Sequence, residues 1–511
     1  MFAFSAILFL LCLFIAFYRG RHKLRLPPGP RRIPFIGNAL DIPLNDAWLQ
    51  FSRWRKRHGP LVYIEIMGQP TVIINTHGHA VDMMARRARL YAERPWNYVA
   101  AHLLLGGRFM PFMDFHARCR KLRRATEEGL RQSRLGRYRQ IQQTEAMRAT
   151  LGLLTSQMHW EHHLSTNTAS LIMSVVYGLP PTDDTDPRVQ AIKQFADRIA
   201  RAIYPGAYLA DTLPWLRHMP SWAAPWKRNS LAFYEKDSAF FHSLLRNAGA
   251  SGVLKPILSV RELERLEVRR WHRNRESYLT QSSRYTEPSQ TSAALCWFML
   301  AMILNQGAQR KAQEELDSIV GQNRVPTFAD IEKLPYLTAI IKEVLRWRPP
   351  LPLGIPHRTE EGDTYEGFDI PPGTVCIPNV WEINHDVEVW GEDADAFRPE
   401  RHLDNGTVVR VFDGHDDNHM SFGLGKRICV GRHFAMDTMS IACATILWAC
   451  DLQPPADEKG LPLLPPSYAH TKSGMTLHPA PFDIRIRARI SNATEQLEVA
   501  QQYPDVGWTR D

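Results

Sequence analysis

Phe422-Gly423-Leu424-Gly425-Lys426-Arg427-Ile428-Cys429-Val430-Gly431 delivers one cysteine, on a loop punctuated by glycine, to the start of the apolar run 431–450. Glycine lets a backbone come close to a bulky planar ligand. A helix N-terminus and its N–H groups stabilise a thiolate and lower its pKa. Arg427, two residues before the cysteine, can reach an anionic group on the same ligand. A lone cysteine beside a helix cap is more often a buried structural residue. The residues of the loop leave both readings open.

Outward from this loop the pattern is mainly helical. Residues 305–320 are rich in Gln, Glu, Ala and Leu, with Gly307 near the start, and 337–347 lacks Pro and Gly. Both predict helices, as does 431–450. Two β-branched runs, 61–66 and 71–75, predict a hairpin. Pro and Gly are frequent from Pro349 to Pro378, where short strands are expected. No repeat and no second composition regime divides the chain, so one mainly α domain with a small β part is expected across residues 31–490.

The 511 residues are 44% hydrophobic and 23% charged, which excludes a disordered chain and allows a core that hides a bulky cofactor. The net charge is +9, but no long basic run exists beyond Arg19–Arg25. Nucleic acid is therefore not an expected partner. A basic surface suits anionic lipid or an acidic redox protein better. Seven cysteines without C-x-x-C pairs argue against a disulfide framework and a zinc site. A reducing, cytosol-facing compartment follows.

Residues 2–18 carry no charged side chain, and Arg19, Arg21, His22, Lys23 and Arg25 follow at once. The basic residues lie after the apolar run and no A-x-A-like site follows, so a single transmembrane anchor is expected rather than a cleaved signal peptide. The positive-inside rule places the body in the cytosol. The sequons at Asn405 and Asn492 should then stay unglycosylated. Residues 19–30, ending in Leu26-Pro27-Pro28-Gly29-Pro30, read as a stiff connector, and 491–511 as a C-terminal tail.

The cysteine loop resembles the haem-binding loop of the cytochromes P-450, F-x-x-G-x-R-x-C-x-G, at every fixed position: Phe422, Gly425, Arg427, Cys429 and Gly431. The resemblance implies the P-450 fold behind one N-terminal transmembrane helix, and haem b (iron protoporphyrin IX) as cofactor. It makes Cys429 the axial ligand of the haem iron, a thiolate that favours O–O cleavage. Further elements occur in the family's order. Glu343-Val-Leu-Arg346 places both charged residues on one helix face. Phe397-Arg398-Pro399-Glu400-Arg401 resembles the P-E-R-F element, with His402 in place of the Phe. The resemblance makes Glu343, Arg346 and Arg401 a buried structural triad. It makes Arg427, His357, and His116 with Arg120 the groups facing the haem propionates. The last two stand for a W-x-x-x-R element whose Trp is here His116.

The family's acid–Thr pair, which relays protons during oxygen activation, is missing. In register with Ala293–Ala301 the acid position falls on Ser289 and the first Thr on Gln290, leaving Thr291 as the candidate catalytic residue. Before it, residues 269–288 are polar, arginine-rich and end in Pro288. Such a stretch would be costly over a haem face. Similarity stops and resumes sharply there, so the stretch reads as a gene-model error, such as a retained intron or shifted frame, within an otherwise intact enzyme. A decayed haem protein, or a proton path through Thr291 or water, are the other readings.

The whole chain to about Arg487 is similar to fungal microsomal members acting in secondary metabolism, the O-methylsterigmatocystin oxidoreductase-like and tryptamine 4-monooxygenase-like groups among them. That implies a monooxygenase of the endoplasmic reticulum membrane. It would take electrons from NADPH through NADPH-cytochrome reductase and oxidise a lipophilic small molecule. Substrate contacts are expected from residues 95–111, 194–226, 351–355 and 472–476, which are mostly apolar. The loop 204–226 is expected to meet membrane lipid. A haem-thiolate isomerase or dehydratase, or an inactive haem-binding pseudoenzyme, are the rival functions.

Overall fold

The computed structural model describes residues 24–107, 109–179, 185–203, 206–250, 288–408, 419–473 and 475–502. The expected anchor, residues 2–18, and the arginine-rich stretch 269–287 lie outside the described residues. Among the described residues no single helix is long and apolar enough to cross a membrane.

The main helices are α1 Ala47–His58, α2 Ala117–Gly129, α3 Gly136–Thr155, α4 Trp160–Tyr177, α5 Pro187–Ile203, α6 Pro225–Ala250, α7 Pro288–Leu304, α8 Gln306–Ile319, α9 Pro335–Trp347, α10 Arg432–Ala449 and α11 Ala493–Gln502. The strands used below are β1 Leu61–Ile66, β2 Gln69–Ile74, β3 His357–Arg358, β4 Val375–Pro378, β5 Cys450–Gln453, β6 His470–Ser473, β7 Thr476–Pro479 and β8 Arg485–Ala488. The first four form one sheet in the order β1-β2-β4-β3. β6 pairs with β7, and β5 with β8, each antiparallel.

Two helices are apolar all round and therefore central. In α10 every residue from Thr438 to Ala449 is buried, and α7 is buried from Ser292 to Ile303. Their side chains join those of α3, α4, α8 and α9 in one core. The indole of Trp297, on α7, donates to Leu477 O at 2.9 Å and ties α7 to β7.

The expected hairpin is present. Ile66 pairs with Gln69 across the two-residue turn Met67-Gly68, whose φ values are 48° and 86°. That is the turn whose twist suits a hairpin. Both sheet faces are covered. Val62, Ile64 and Ile73 pack on Phe51 and Trp54 of α1, while Leu61, Tyr63, Val72 and Ile74 face the opposite cluster. Burial on both faces explains apolar runs that do not alternate with polar residues.

Two terminal segments pack more closely than their composition suggests. Residues 24–30 are tied to the β part at two places, Pro28 to β1 and Arg25 to Asp369. Pro28 O accepts from the Tyr63 N–H at 2.9 Å, and Arg25 and Asp369 exchange bonds of 2.8 and 2.7 Å. In the stretch read as a tail, Ala493 and Leu497 of α11 share one helix face and are fully buried in the main core.

Glu343 and Arg346 on α9, with Arg401 beyond it, come together without exposure. Arg346 holds the Glu343 carboxylate through Nε at 2.7 Å and Nη2 at 2.8 Å, and Arg401 Nε adds a bond of 3.0 Å. His402, fully buried, donates through Nε2 at 2.9 Å. Desolvation opposes the charge on Glu343, but these hydrogen bonds outweigh it and bring its pKa from 4.5 down to about 2. His402 itself is kept neutral by burial, against the pull of Glu343. Its hydrogen bond therefore matters more to Glu343 than any charge attraction.

Glu343→Ala is expected to cost roughly 3–5 kcal/mol in denaturant unfolding, because it strands a buried guanidinium. A carboxylate depressed on folding stabilises above its unfolded pKa and loses that contribution as pH falls through the folded value. Stability tied to Glu343 should thus be intact above 4.5 and fall away between 4.5 and about 2. Glu343→Gln should flatten that part of the pH profile. Equal slopes for variant and parent would show that the carboxylate is not held as described.

Candidate active site

The cysteine loop is shaped by its own backbone. The Cys429 N–H donates to Phe422 O at 2.8 Å, and Gly425–Arg427 forms a single 3-10 turn. Gly425 has φ +57°, and a Cβ there would stand 2.1 Å from Met84 O, so the close approach of the two segments needs glycine. Gly431 is the N-cap residue of α10. Burial pushes the Cys429 thiol up, while the Gly431 N–H and the charges of Arg123 and Arg432 pull it toward the thiolate. The residue nevertheless keeps accessible surface. It thus borders open space although its thiol is desolvated.

Guanidinium groups crowd beside this loop. Arg94, 4% exposed, donates to Pro111 O, Ile355 O and Pro356 O at 2.7–2.8 Å. Arg427 donates to Ala92 O at 2.7 Å and Met113 O at 2.6 Å, and its Nη1 lies 3.4 Å from Cys119 Sγ. Arg123 reaches Ile428 O, next to Cys429, at 2.5 Å. Burial, then the charges of Arg427 and Arg123, disfavours the cation at Arg94. Arginine does not give up its proton in a protein, so the cost persists as a demand for an anion. This donor set fits the carboxylates of haem.

The expected site residues fall out as follows. Phe422, Gly425, Arg427, Cys429 and Gly431 share the loop just described. His357 is buried beside Arg94, and its Nδ1 lies 2.6 Å from Tyr91 O. Burial, then the charge of Arg94, holds it neutral. With Nδ1–H donating to a carbonyl, Nε2 is left as an acceptor. His116 lies on the exposed side, where Nδ1 caps α2 by accepting the Cys119 N–H at 3.3 Å. Arg120 is exposed and donates to Phe115 O at 2.8 Å. Helix geometry instead brings Arg123, three residues on, to the Cys429 loop. Cys119 and Arg123 repeat the four-residue spacing three residues along, but without an aromatic partner this gave no signal in the sequence. Arg94 had no signal either; only burial identifies it.

Thr291 is half-buried in the first turn of α7, which begins at Pro288. A cavity of about 940 Å³ borders α7 at Ser292 and Cys296, with Glu161, Lys193 and Lys472 also in its wall. Along the expected substrate segments, Val99, Leu103 and Leu104 join an apolar cluster with Phe195 and Ile199. Trp215 and Trp222 are 64% and 80% exposed.

Comparison with known proteins agrees with this geometry. The family model described as Cytochrome P450 matches residues 27–236 and 289–485 and leaves the stretch between them unmatched. A cytochrome P450 monooxygenase of Armillaria gallica is 40% identical over 478 residues, covering 93% of each chain. Cytochrome P450 monooxygenase 253 of Postia placenta is 37% identical over 488 residues, covering 94% of this chain and 92% of its own. The cytochrome P450 monooxygenase iboC of Amanita muscaria is 33% identical over 532 residues, covering 94% of each. The cysteine loop, the helical frame and these matches over most of the chain make it a member of the cytochrome P450 family, oxidoreductases whose cofactor is haem b.

Proposed function

We propose that the chain is a membrane-anchored haem-thiolate monooxygenase in which Cys429 ligates the iron and a lipophilic small molecule of fungal secondary metabolism is oxidised. The observation that carries this reading is Cys429 on its glycine-shaped loop, at a position that keeps accessible surface, with Arg94, Arg123 and Arg427 beside it. Bound haem supplies the iron at which dioxygen is activated and one oxygen atom passes to substrate. The chain's own residues hold and tune it. The Gly431 N–H and nearby guanidinium charges favour the thiolate, and the three arginines answer the propionates. The apolar cluster around Val99, Leu103 and Phe195 supports a lipophilic substrate.

The basic residues after the apolar run 2–18 support an anchor in the endoplasmic reticulum membrane with a cytosolic body. There NADPH-cytochrome reductase would deliver electrons. Exposed Trp215 and Trp222 suit a lipid interface. Ser289 and Gln290 stand where the acid and Thr are expected, which favours a second reading, a haem-thiolate isomerase or dehydratase, or a pseudoenzyme. Thr291, half-buried in the first turn of α7, or water is the proton route left to a monooxygenase.

Cys429→Ala should abolish the spectrum of a thiolate-ligated haem in the reduced, CO-bound protein; a variant that kept it would sink the ligand assignment. Arg123→Gln should lose haem to an acceptor globin roughly 10-fold to 100-fold faster, as expected for one charge-assisted bond, whereas Arg120→Gln should match the parent. The reverse order would return the propionate role to Arg120. Turnover with NADPH, reductase and a lipophilic substrate tests the reading as a whole, counting product and peroxide together. Without the acid–Thr pair, much of the reducing power is expected to appear as peroxide. NADPH-independent conversion would favour the isomerase, and tight coupling would show that Thr291 or water suffices.

A further inference from the structure

Between β5 and β6 the chain runs Leu461-Pro462-Leu463-Leu464-Pro465-Pro466-Ser467-Tyr468. Leu461, Leu463, Leu464 and Tyr468 are 61%, 54%, 55% and 74% exposed. Single exposed leucines need no explanation, but four large apolar side chains within eight residues mark an interaction surface.

The backbone is constrained to one shape. Proline fixes φ at 462, 465 and 466 and pushes the residue before it toward extended or polyproline II geometry. That confines Leu461, Leu464 and Pro465 as well. Neither helix nor strand forms over residues 463–466.

Both ends are tied down. The Leu463 N–H donates to Pro455 O at 2.7 Å, and the Asp457 N–H to Leu461 O at 2.9 Å. A turn closes from the Ala469 N–H to Pro466 O at 3.2 Å and presents Tyr468 outward. Ser467 O accepts from Arg348 Nε and Nη2 at 3.1 and 2.9 Å. Arg348 is itself buried and lies 3.8 Å over the Trp347 ring. The strap is thus held in shape against the core, and a partner would meet it with little ordering left to do.

We infer that Leu461–Tyr468 is a docking segment for a partner domain of the WW type, one that reads polyproline II in an aromatic-lined groove. Pro465-Pro466 would lie between the groove's aromatic rings, and Tyr468, two residues on, would fill the adjoining pocket. An SH3-type domain would read Pro462-x-x-Pro465 and ignore Tyr468. Lipid fits the strap less well. A bilayer selects apolar area and not a fixed backbone, and Asp457 and Glu458 beside the strap oppose an anionic surface.

The test is titration of the full-length holoprotein with an isolated, fluorescently labelled WW domain that recognises Pro-Pro-x-Tyr. Saturable binding is expected, weakened about tenfold or more by Tyr468→Ala and by Pro466→Ala. An unchanged haem spectrum in Tyr468→Ala would confirm that the fold is intact. The inference fails if the WW domain does not bind, or if Tyr468→Ala binds it like the parent. It fails equally if only an SH3 domain binds. It also fails if Leu463→Ser with Leu464→Ser lowers partition onto phosphatidylcholine–phosphatidylserine vesicles while the WW domain remains indifferent.

Discussion

Glu343 accepts five hydrogen bonds at once, from Arg346 Nε and Nη2, the Arg398 N–H, Arg401 Nε and His402 Nε2. The position of the reactive cysteine hangs from this carboxylate. Arg346, fixed by Glu343, donates onward to Asn384 O at 2.8 Å. Asn384 then takes the Met420 N–H at 2.9 Å and donates to Ser421 Oγ at 3.1 Å, while Ser421 Oγ donates to Leu345 O at 2.6 Å. Met420 and Ser421 open the loop that ends at Cys429. A buried charge cluster is a poor source of net stability, but it tolerates few alternative arrangements. Here that intolerance is transmitted, bond by bond, to the segment that must present a sulfur at one place.

The second constraint is an excess of positive charge on the opposite flank of the same loop. Arg94 and Arg427 spend their donors on carbonyl oxygens, which satisfy hydrogen bonding but not charge, whereas Arg123 also pairs with Glu127 at 2.8 Å. Glu93 acts on both Arg94 and Arg427, and burial raises its pKa and weakens it as a counter-ion. The apoprotein is therefore electrostatically strained where the cofactor's acids would arrive. Binding energy of that kind couples cofactor loading to folding.

Much of this was legible from the chain alone, for reasons that differ by residue. Cys429 stood out because four other fixed positions surround it, and the hairpin because its two strands share one pattern. The pairing of Glu343 with Arg346 followed from helical spacing. His402 read only as a missing aromatic, since nothing in a sequence shows that a buried imidazole can fill a ring-shaped space and also donate a proton. Arg120 holds the motif's register among basic residues at 118, 120, 121, 123 and 124, and Arg123 comes to notice only through its bond to the cysteine loop. The phase of these side chains depends on where α2 begins, and His116 sets that start by capping it. The short α11 was read as tail because its four apolar residues in ten, two of them alanine, are too few to show a period.

The docking of residues 24–30 on the β part carries a consequence for how the body sits at a bilayer. On the proposed anchoring, only residues 19–23 separate the apolar run from the first docked residues. Six residue steps extend about 20 Å at most, so the leash is shorter than the bilayer is thick. The edge of the body that carries Phe35, Leu40 and Leu44, each more than 70% exposed, could not drift out of reach of the lipid headgroups. Its freedom would be that of a tilting plate on a short hinge. Its encounters with substrate and with redox protein would then be searches in two dimensions.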